Sequence, residues 1–152
     1  MYKHILFTTE LSETKGYIED KVTELQKLTN ARVSIIHVVE PIPINYYTGV
    51  YGFIPSGFDT TDPVEMTENL KKRAYELLQP LLKRMNIAEN NLFIPVGDIE
   101  EEILNFAEAE DVDLIITGSH GLRGWKVLLG STANAILHNA KCDTLAVRYP
   151  QE

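Results

Sequence analysis

Cysteine is nearly absent from this chain of 152 residues, which holds Cys142 and no other. A lone cysteine excludes a disulfide framework and a metal site built on cysteine ligands. The four histidines have no metal-ligand spacing, such as an i, i+4 pair on one helix. Long apolar runs are absent as well, since none approaches the ~20 residues of a membrane span. The first residues also lack the apolar region of a signal peptide, so we expect a protein of the reducing cytoplasm.

Positive charge is scarce too. Lysine and arginine total 14 against 22 aspartate and glutamate residues, which gives a formal net charge of -8. This balance argues against non-specific nucleic-acid binding, which needs clustered Lys and Arg. A site for a polyphosphate must therefore attract its ligand locally, through backbone amides and a few cations such as Arg123 and Lys126.

Strand and helix patterns alternate along the chain. Several of the predicted strands are continuous apolar runs, which are typical of a parallel sheet covered on both faces. Right-handed crossovers place helices on both faces of such a sheet, and its ligands bind at the carboxyl ends of the strands where the strand order reverses. The sequence therefore predicts one α/β domain over residues 1–152. The predicted strands are His4–Thr9, Val33–Val39, Asn91–Val96, Leu114–Thr117 and Thr144–Arg148.

Four helices are predicted from apolar spacing and from capping residues. Ser12 is the expected N-cap of the first and Asp98 that of the third, Ser131 is expected to cap the fourth, and Pro80 is expected to kink or break the second. The expected inward faces are Ile18, Val22, Leu25 and Leu28 in the first helix; Leu70, Ala74, Leu77, Leu78, Leu81 and Leu82 in the second, near Val64–Met85; Ile99, Ile103, Phe106 and Ala107 in the third; and Ala133, Ile136, Leu137 and Ala140 in the fourth, near 131–139.

Residues 112–132 are the most informative segment. A short apolar run leads into a glycine-rich loop and then to a helix start. Glycine lets the backbone approach a ligand closely, and the free N–H groups and dipole of a helix N-terminus favour phosphate. We interpret the segment as a cradle for a nucleotide phosphate. The loop holds Gly118, Gly121 and Gly124, of which Gly124 is assigned to loop flexibility, and Gly130, Ser131 and Thr132 open the helix.

The connection from about residue 40 to 63 is too long for an ordinary loop and is rich in proline, glycine and aromatic residues. Connections of this length are usually functional or disordered. Two interpretations stay open: a mobile insertion that partly packs on the surface, or a lid or partner-binding flap. Its aromatic residues are Tyr46, Tyr47, Tyr51, Phe53 and Phe58.

Three stretches together resemble the universal stress protein family over essentially the whole chain. They are the start, residues 2–12; the segment Val-Ser-Ile-Ile-His-Val at 33–38; and residues 113–148, with Gly-Ser-His-Gly, Gly-Ser-Thr and Cys-Asp-Thr-Leu-Ala-Val-Arg. The resemblance implies a Rossmann-like sheet of the adenine nucleotide alpha hydrolase-like type, with five parallel strands in the order 3-2-1-4-5.

The ATP-binding branch of that family carries the pattern Gly-two-Gly-nine-Gly-Ser/Thr. Gly118 and Gly121 match its first part, and Gly130 with Ser131 match its last, although eight residues rather than nine lie between Gly121 and Gly130. Glu10 stands where that branch usually has Asp. The key glycines are retained, so the resemblance implies ATP as the ligand, with any Mg²⁺ arriving mainly with the phosphates.

The resemblance also implies the role of each site residue. Thr8, Glu10 and the backbone of Val38 would border the adenine, and Thr117 and Gly118 would face the ribose. The phosphates would be met by a larger set, namely Ser119, His120, Gly121, Arg123, Gly130, Ser131, Thr132 and Ala133. We expect a homodimer through the last strand, Thr144, Leu145, Ala146, Val147 and Arg148, because exposed sheet edges tend to pair and this strand pairs across a two-fold axis in the family.

Three functions are compared. The first is an ATP-binding stress-response regulator, not an enzyme, with at most slow hydrolysis, because no Walker motif and no arginine finger is present and His120 has no catalytic partner beside it in sequence. The second is a nucleotide-free interaction protein of the same fold that works through its dimer surface and loop 40–63. The third is an adenine-nucleotide enzyme, which the loop at residues 8–12 disfavours because it is not rich in glycine.

Overall fold

The computed structural model describes residues 1–11, 16–41, 63–119 and 130–148. Strands and helices alternate along these ranges, as the apolar runs predict. The strands are β1 (His4–Thr8), β2 (Arg32–Ile36), β3 (Leu92–Phe93), β4 (Leu114–Ser119) and β5 (Asp143–Arg148). The α-helices are α1 (Tyr17–Thr29), α2 (Pro63–Met85), α3 (Ile99–Ala109) and α4 (Ser131–Asn139), and a 3-10 turn at Glu89–Asn91 precedes β3.

The five strands form one sheet in the order β3-β2-β1-β4-β5, and every neighbouring pair is parallel. Both the fold class and the strand order predicted from the sequence are confirmed. Three strands are shorter than predicted, since β1 ends at Thr8, β2 ends at Ile36 and β3 spans only two residues. A separate parallel bridge between Val39 and Val96 continues the pairing beyond both ends.

The sheet is covered on both faces, and successive side chains of β1 point to opposite faces. Ile5 and Phe7 pack with α1 and the end of α2, while Leu6 packs with α3 and α4. All five residues of β1 are buried, as expected for the central strand of a parallel sheet. None of the helices in the described ranges has the length and apolarity needed to cross a bilayer.

Two predicted helix starts are wrong. Helix α1 begins at Tyr17 with Gly16 as its N-cap, so Ser12, which lies outside the described residues, does not cap it. Gly16 has φ 78, a left-handed conformation that glycine adopts at little cost. Helix α4 is capped by Gly130 rather than Ser131, which is its first helical residue. By contrast, the Asp98 side chain accepts a hydrogen bond from the N–H of Glu101 at 3.0 Å and caps α3 as predicted.

Pro80 does not break α2, which is continuous from Pro63 to Met85. Because proline has no N–H, the carbonyl of Glu76 loses its i+4 partner. Both Glu76 and Pro80 are exposed, so water can hydrate that carbonyl.

Several leucines predicted to face inward are exposed because they lie at the margins of the buried stripe of their helix. Leu28 is 71% exposed, since it lies about 80° from Ile18 around the axis of α1. The remaining exceptions are Leu70, Leu77 and Leu137.

Candidate functional site

The site begins where the strand order reverses. The chain proceeds from β1 to β2 on one side and from β4 to β5 on the other, so the reversal lies between β1 and β4. Beyond their last register pair, Phe7 with Ile116, these strands continue into Thr8 and Thr117, and both threonines are buried. This is the position at which parallel sheets of this type bind ligands.

At the end of β4, the hydroxyl groups of Thr117 and Ser119 contact backbone carbonyls. Thr117 Oγ1 lies 3.5 Å from the carbonyl of Gly118. Ser119 is buried, and its Oγ donates to the carbonyl of Val147 in β5 at 3.3 Å. The hydroxyl of Ser119 therefore joins two strands, and what β4 presents to the crevice is the backbone around Gly118.

After β2, the backbone hydrogen bonds of successive residues alternate between the β1 side and the β3 side. The carbonyl of Ile36 accepts from the N–H of Thr9, on the β1 side, at 3.0 Å. The N–H groups of His37 and Val39 donate to Phe93 and Pro95, on the β3 side, at 3.0 and 2.9 Å. The peptide groups of Val38 therefore point toward β1.

The N–H of Val38 has no backbone hydrogen bond to another residue of the described ranges. Val38 is 8% exposed, and a buried N–H normally has a partner. Val38 lies beside the point where the chain leaves β1. At this edge of the crevice, which is the region at the carboxyl ends of β1 and β4, its N–H is a donor and its carbonyl is an acceptor.

The first turn of α4 offers further donors. Gly130 has extended backbone angles, φ -53 and ψ 153, and its carbonyl accepts from the N–H of Asn134 at 2.9 Å. Gly130 has no side chain with which to cap this end, and the first turn holds no acidic residue. Because Ser131 is the first helical residue, the N–H groups of Ser131, Thr132 and Ala133 have no intrahelical acceptor and no cap from Gly130. Such an end attracts anions.

Three predicted site residues, His120, Gly121 and Arg123, lie outside the described residues. Among the others, Glu10 is exposed in the chain after β1. The structure therefore gives positions for the residues predicted to contact the adenine and the ribose and for those at the start of α4. The glycine segment between Ser119 and Gly130 is known from the sequence alone.

Nucleophilic and metal chemistry have little support in the described residues. Burial is the main factor that raises the pKa of the Cys142 thiol, so this residue is a packed thiol at neutral pH. No group of three His, Cys, Asp or Glu residues in the described ranges is arranged to hold a metal ion.

Sequence reasoning missed the capping role of Gly130. The signal was a glycine immediately before a helix whose first turn lacks carboxylates, the reverse of the Asp98 pattern. His37, directly after β2, is hydrogen-bonded within the chain, because its Nδ1 lies 2.9 Å from the carbonyl oxygen of Thr9.

Comparison with known proteins agrees with this architecture. The model of the universal stress protein family matches residues 1–148. The chain belongs to the universal stress protein family. Universal stress protein A homolog 2 of Coxiella burnetii is 40% identical over 148 residues, which cover 97% of this chain and 95% of that protein. Universal stress protein MJ0577 of Methanocaldococcus jannaschii is 31% identical over 157 residues, with 97% and 96% covered.

Solved structures of the family share the fold. The structure of MJ0577 has a TM-score of 0.74 and 28% identity, and covers 100% of this chain and 99% of that one. A universal stress protein solved in complex with cAMP has a TM-score of 0.64 and 18% identity, with 97% of each chain covered. At that identity the second comparison supports the fold alone.

Proposed function

We propose that this universal stress protein binds ATP in the crevice between β1 and β4 and acts as a regulatory homodimer of the cytoplasm. The observation that carries the proposal is the start of α4, where Gly130 leaves backbone donors free beside the switch point of the sheet. The proposal treats residues 1–152 as one domain, with the long connection of residues 40–63 as part of it.

The proposed nucleotide lies across the carboxyl ends of three strands. Thr8, Glu10 and Val38 border the adenine, and Thr117 and Gly118 face the ribose. The phosphate end is assigned to the residues around the start of α4, namely Ser119, His120, Gly121, Arg123, Gly130, Ser131, Thr132 and Ala133. With a net charge of -8, the chain has to attract phosphates through these local donors and through Arg123.

The backbone of Val38 favours adenine over guanine. Its N–H can donate to the ring nitrogen N1 of adenine, and its carbonyl can accept from the adjacent amino group. Guanine presents the opposite pattern at these positions, a carbonyl and a protonated nitrogen. Binding guanine there would leave buried polar groups unpaired, which is strongly unfavourable.

A regulatory role fits this arrangement better than catalysis. In the described residues, the hydroxyl groups of Thr117 and Ser119 bond backbone carbonyls and not a general base. The proposed protein changes its behaviour with nucleotide occupancy and hydrolyses ATP slowly at most.

The proposed dimer uses the free edge of β5. Because the N–H of Asp143 donates to Asp113 on the β4 side, the backbone groups of Thr144, Ala146 and Arg148 point away from the sheet. No strand among the described residues pairs with this edge, and Leu145 is 38% exposed on it. Edges of this kind pair readily with a second copy.

The test of nucleotide binding is calorimetric titration with Mg-ATP, with Mg-GTP as the comparison ligand. Gly121→Val is expected to abolish binding, because the side chain would occupy the space nearest the phosphates. Gly124→Val is the matched control, since Gly124 has no assigned ligand role, and it should bind as wild type does. Absence of heat with both nucleotides would favour the nucleotide-free interaction protein, and turnover well above ~1 s⁻¹ would favour an enzyme.

The test of the dimer is sedimentation of the wild type against Ala146→Pro. Proline removes an outward N–H without removing a bond to β4, so the variant should sediment as a monomer. Ala146→Ser keeps that N–H and should remain dimeric. A monomeric wild type would remove the dimer from the proposal and leave nucleotide binding untouched.

A further inference from the structure

His37 follows β2 directly, and its imidazole reaches the chain that leaves β1. Nδ1 lies 2.9 Å from the carbonyl oxygen of Thr9. A carbonyl oxygen only accepts, so Nδ1 carries the hydrogen and donates it. The backbone N–H of His37 meanwhile donates to Phe93 at 3.0 Å. One residue thus joins the end of β1 to the end of β3.

The bond from the imidazole takes the place of a bond of the parallel ladder. Because the N–H of Thr9 donates to Ile36, a regular ladder would have the carbonyl of Thr9 accept from the N–H of Val38. The side chain of His37 occupies that carbonyl instead. In the described ranges the N–H of Val38 is consequently left without a backbone partner.

A second contact holds the same turn. Thr9 Oγ1 donates to the carbonyl of Glu10 at 3.1 Å, immediately after the carbonyl that His37 engages. The chain therefore leaves the sheet at Thr9 and Glu10 under the control of two side-chain bonds.

We propose that His37 is a positioning residue of the nucleotide site. By taking the carbonyl of Thr9 out of the ladder, its imidazole keeps the N–H of Val38 free for the ring edge of adenine and fixes Glu10 beside it. This inference rests on the proposed nucleotide binding and deepens it. An N–H that has no backbone partner in the described ranges, in a residue only 8% exposed, raises the free energy of the empty site, and a ligand that accepts from it relieves that cost.

Two variants of similar size separate this role from general packing. Asparagine at position 37 can place its amide nitrogen where Nδ1 stood, whereas glutamine reaches the place of Nε2. His37→Asn should therefore bind Mg-ATP within about threefold of wild type. His37→Gln and His37→Ala should bind about tenfold more weakly, as expected for one lost hydrogen bond at the site. Equal affinity of the Asn and Gln variants would overturn the proposal.

Hydrogen exchange on the nucleotide-free protein gives an independent measurement. The Val38 amide should exchange quickly in wild type and in His37→Asn, relative to the bonded amides of Thr9 and Val39. In His37→Ala the carbonyl of Thr9 is free to accept, so the Val38 amide should exchange at least about tenfold more slowly.

The two measurements distinguish the two proposals. If wild type fails to bind Mg-ATP but its Val38 amide responds to the substitutions as expected, nucleotide binding is wrong and the control of the Val38 amide by His37 stands. If exchange at Val38 is the same in all variants, the role of His37 is wrong even where Mg-ATP binds.

Discussion

The two ends of the sheet treat their polar groups in opposite ways. At the amino end, Asp113 Oδ2 accepts from the backbone N–H groups of Lys3 and His4, at 2.7 and 2.8 Å. Nδ1 of His4 donates to the carbonyl of Glu110 at 2.9 Å, and its Nε2 lies within hydrogen-bond distance of Ser34 Oγ, at 2.8 Å. This end satisfies its groups from within the chain.

At the carboxyl end, comparable groups face the crevice. Among the described residues, the N–H of Val38 has no backbone partner, and the first N–H groups of α4 have no cap from Gly130. Polar groups left without a partner are candidates for contacts with a ligand. The amino end serves stability, and the carboxyl end is where we place function.

The largest effect is expected at the amino end, from His4→Ala. The variant leaves the buried hydroxyl of Ser34 without its imidazole partner and opens a cavity, so it should lower the free energy of unfolding by about 3 kcal/mol. Urea denaturation measures this, with the exposed His138→Ala as control. Affinity for Mg-ATP in the folded variant should stay within about twofold of wild type, and a larger loss would break the division between the two ends.

The next effect belongs to the carboxyl end. Gly130→Asp gives α4 the self-supplied cap that Asp98 gives α3, and it brings a negative charge toward the phosphates. Mg-ATP should bind at least about tenfold more weakly, a change of ~1.4 kcal/mol, while stability is unchanged or slightly higher. Gly130→Ala adds a side chain without a cap, and φ -53 accommodates it, so it should bind nearly normally. Equal binding by all three proteins would remove the start of α4 from the site.

Asp113→Asn should show a smaller effect that depends on pH. The backbone N–H groups of Lys3 and His4 hold the pKa of the Asp113 carboxyl below its ordinary value of 3.8. A lowered pKa in the folded state means that the carboxylate stabilises the fold above that range and loses this contribution as the pH falls. Wild type should exceed the variant by about 1–2 kcal/mol at neutral pH.

Denaturation of both proteins from pH 7 down to pH 3 provides the measurement for Asp113. The two free energies of unfolding should converge as the pH drops below 3.8. A gap that stays constant with pH would assign the effect to shape rather than to charge.

The smallest effect sharpens the comparison between two helix starts at the same end of the sheet. Asp98→Ala removes the cap of α3 and should lower stability by ~1 kcal/mol. Nucleotide affinity should not change, because this helix start is satisfied within the chain. Thermal unfolding with and without Mg-ATP tests both statements, and a drop in affinity would extend the site to α3.

Most of the fold follows from the sequence because buried parallel strands require apolar runs. The central strand β1 is clear in the sequence for that reason. Helix α3, between Asp98 and Glu110, is clear from its capping residue. The N-caps at Gly16 and Gly130 were missed because a cap depends on where the backbone enters the helix. Ser131 has the composition of a cap but is the first helical residue, and Ser12 lies outside the described residues.

The residues of the candidate site are predictable by type and not by bonding. The resemblance to the family points to Val38, and His37 precedes it in the same family segment. The exchange of a backbone partner for an imidazole at Thr9 depends on the register of two strands that are far apart in sequence. No local pattern encodes that register, so this feature is visible only once the sheet is assembled.

Helix α4 spans nine residues, which is too short for a helix to persist on its own in water, and its hold on the sheet comes chiefly from Ala133 and Ile136. A ligand that completes its first turn would be linked to folding by mass action. At a concentration of 100 times Kd it would add about 2.7 kcal/mol of stability. The melting temperature of the protein would then rise with the logarithm of the surrounding ATP concentration, so resistance to heat would itself report the energy supply of the cell.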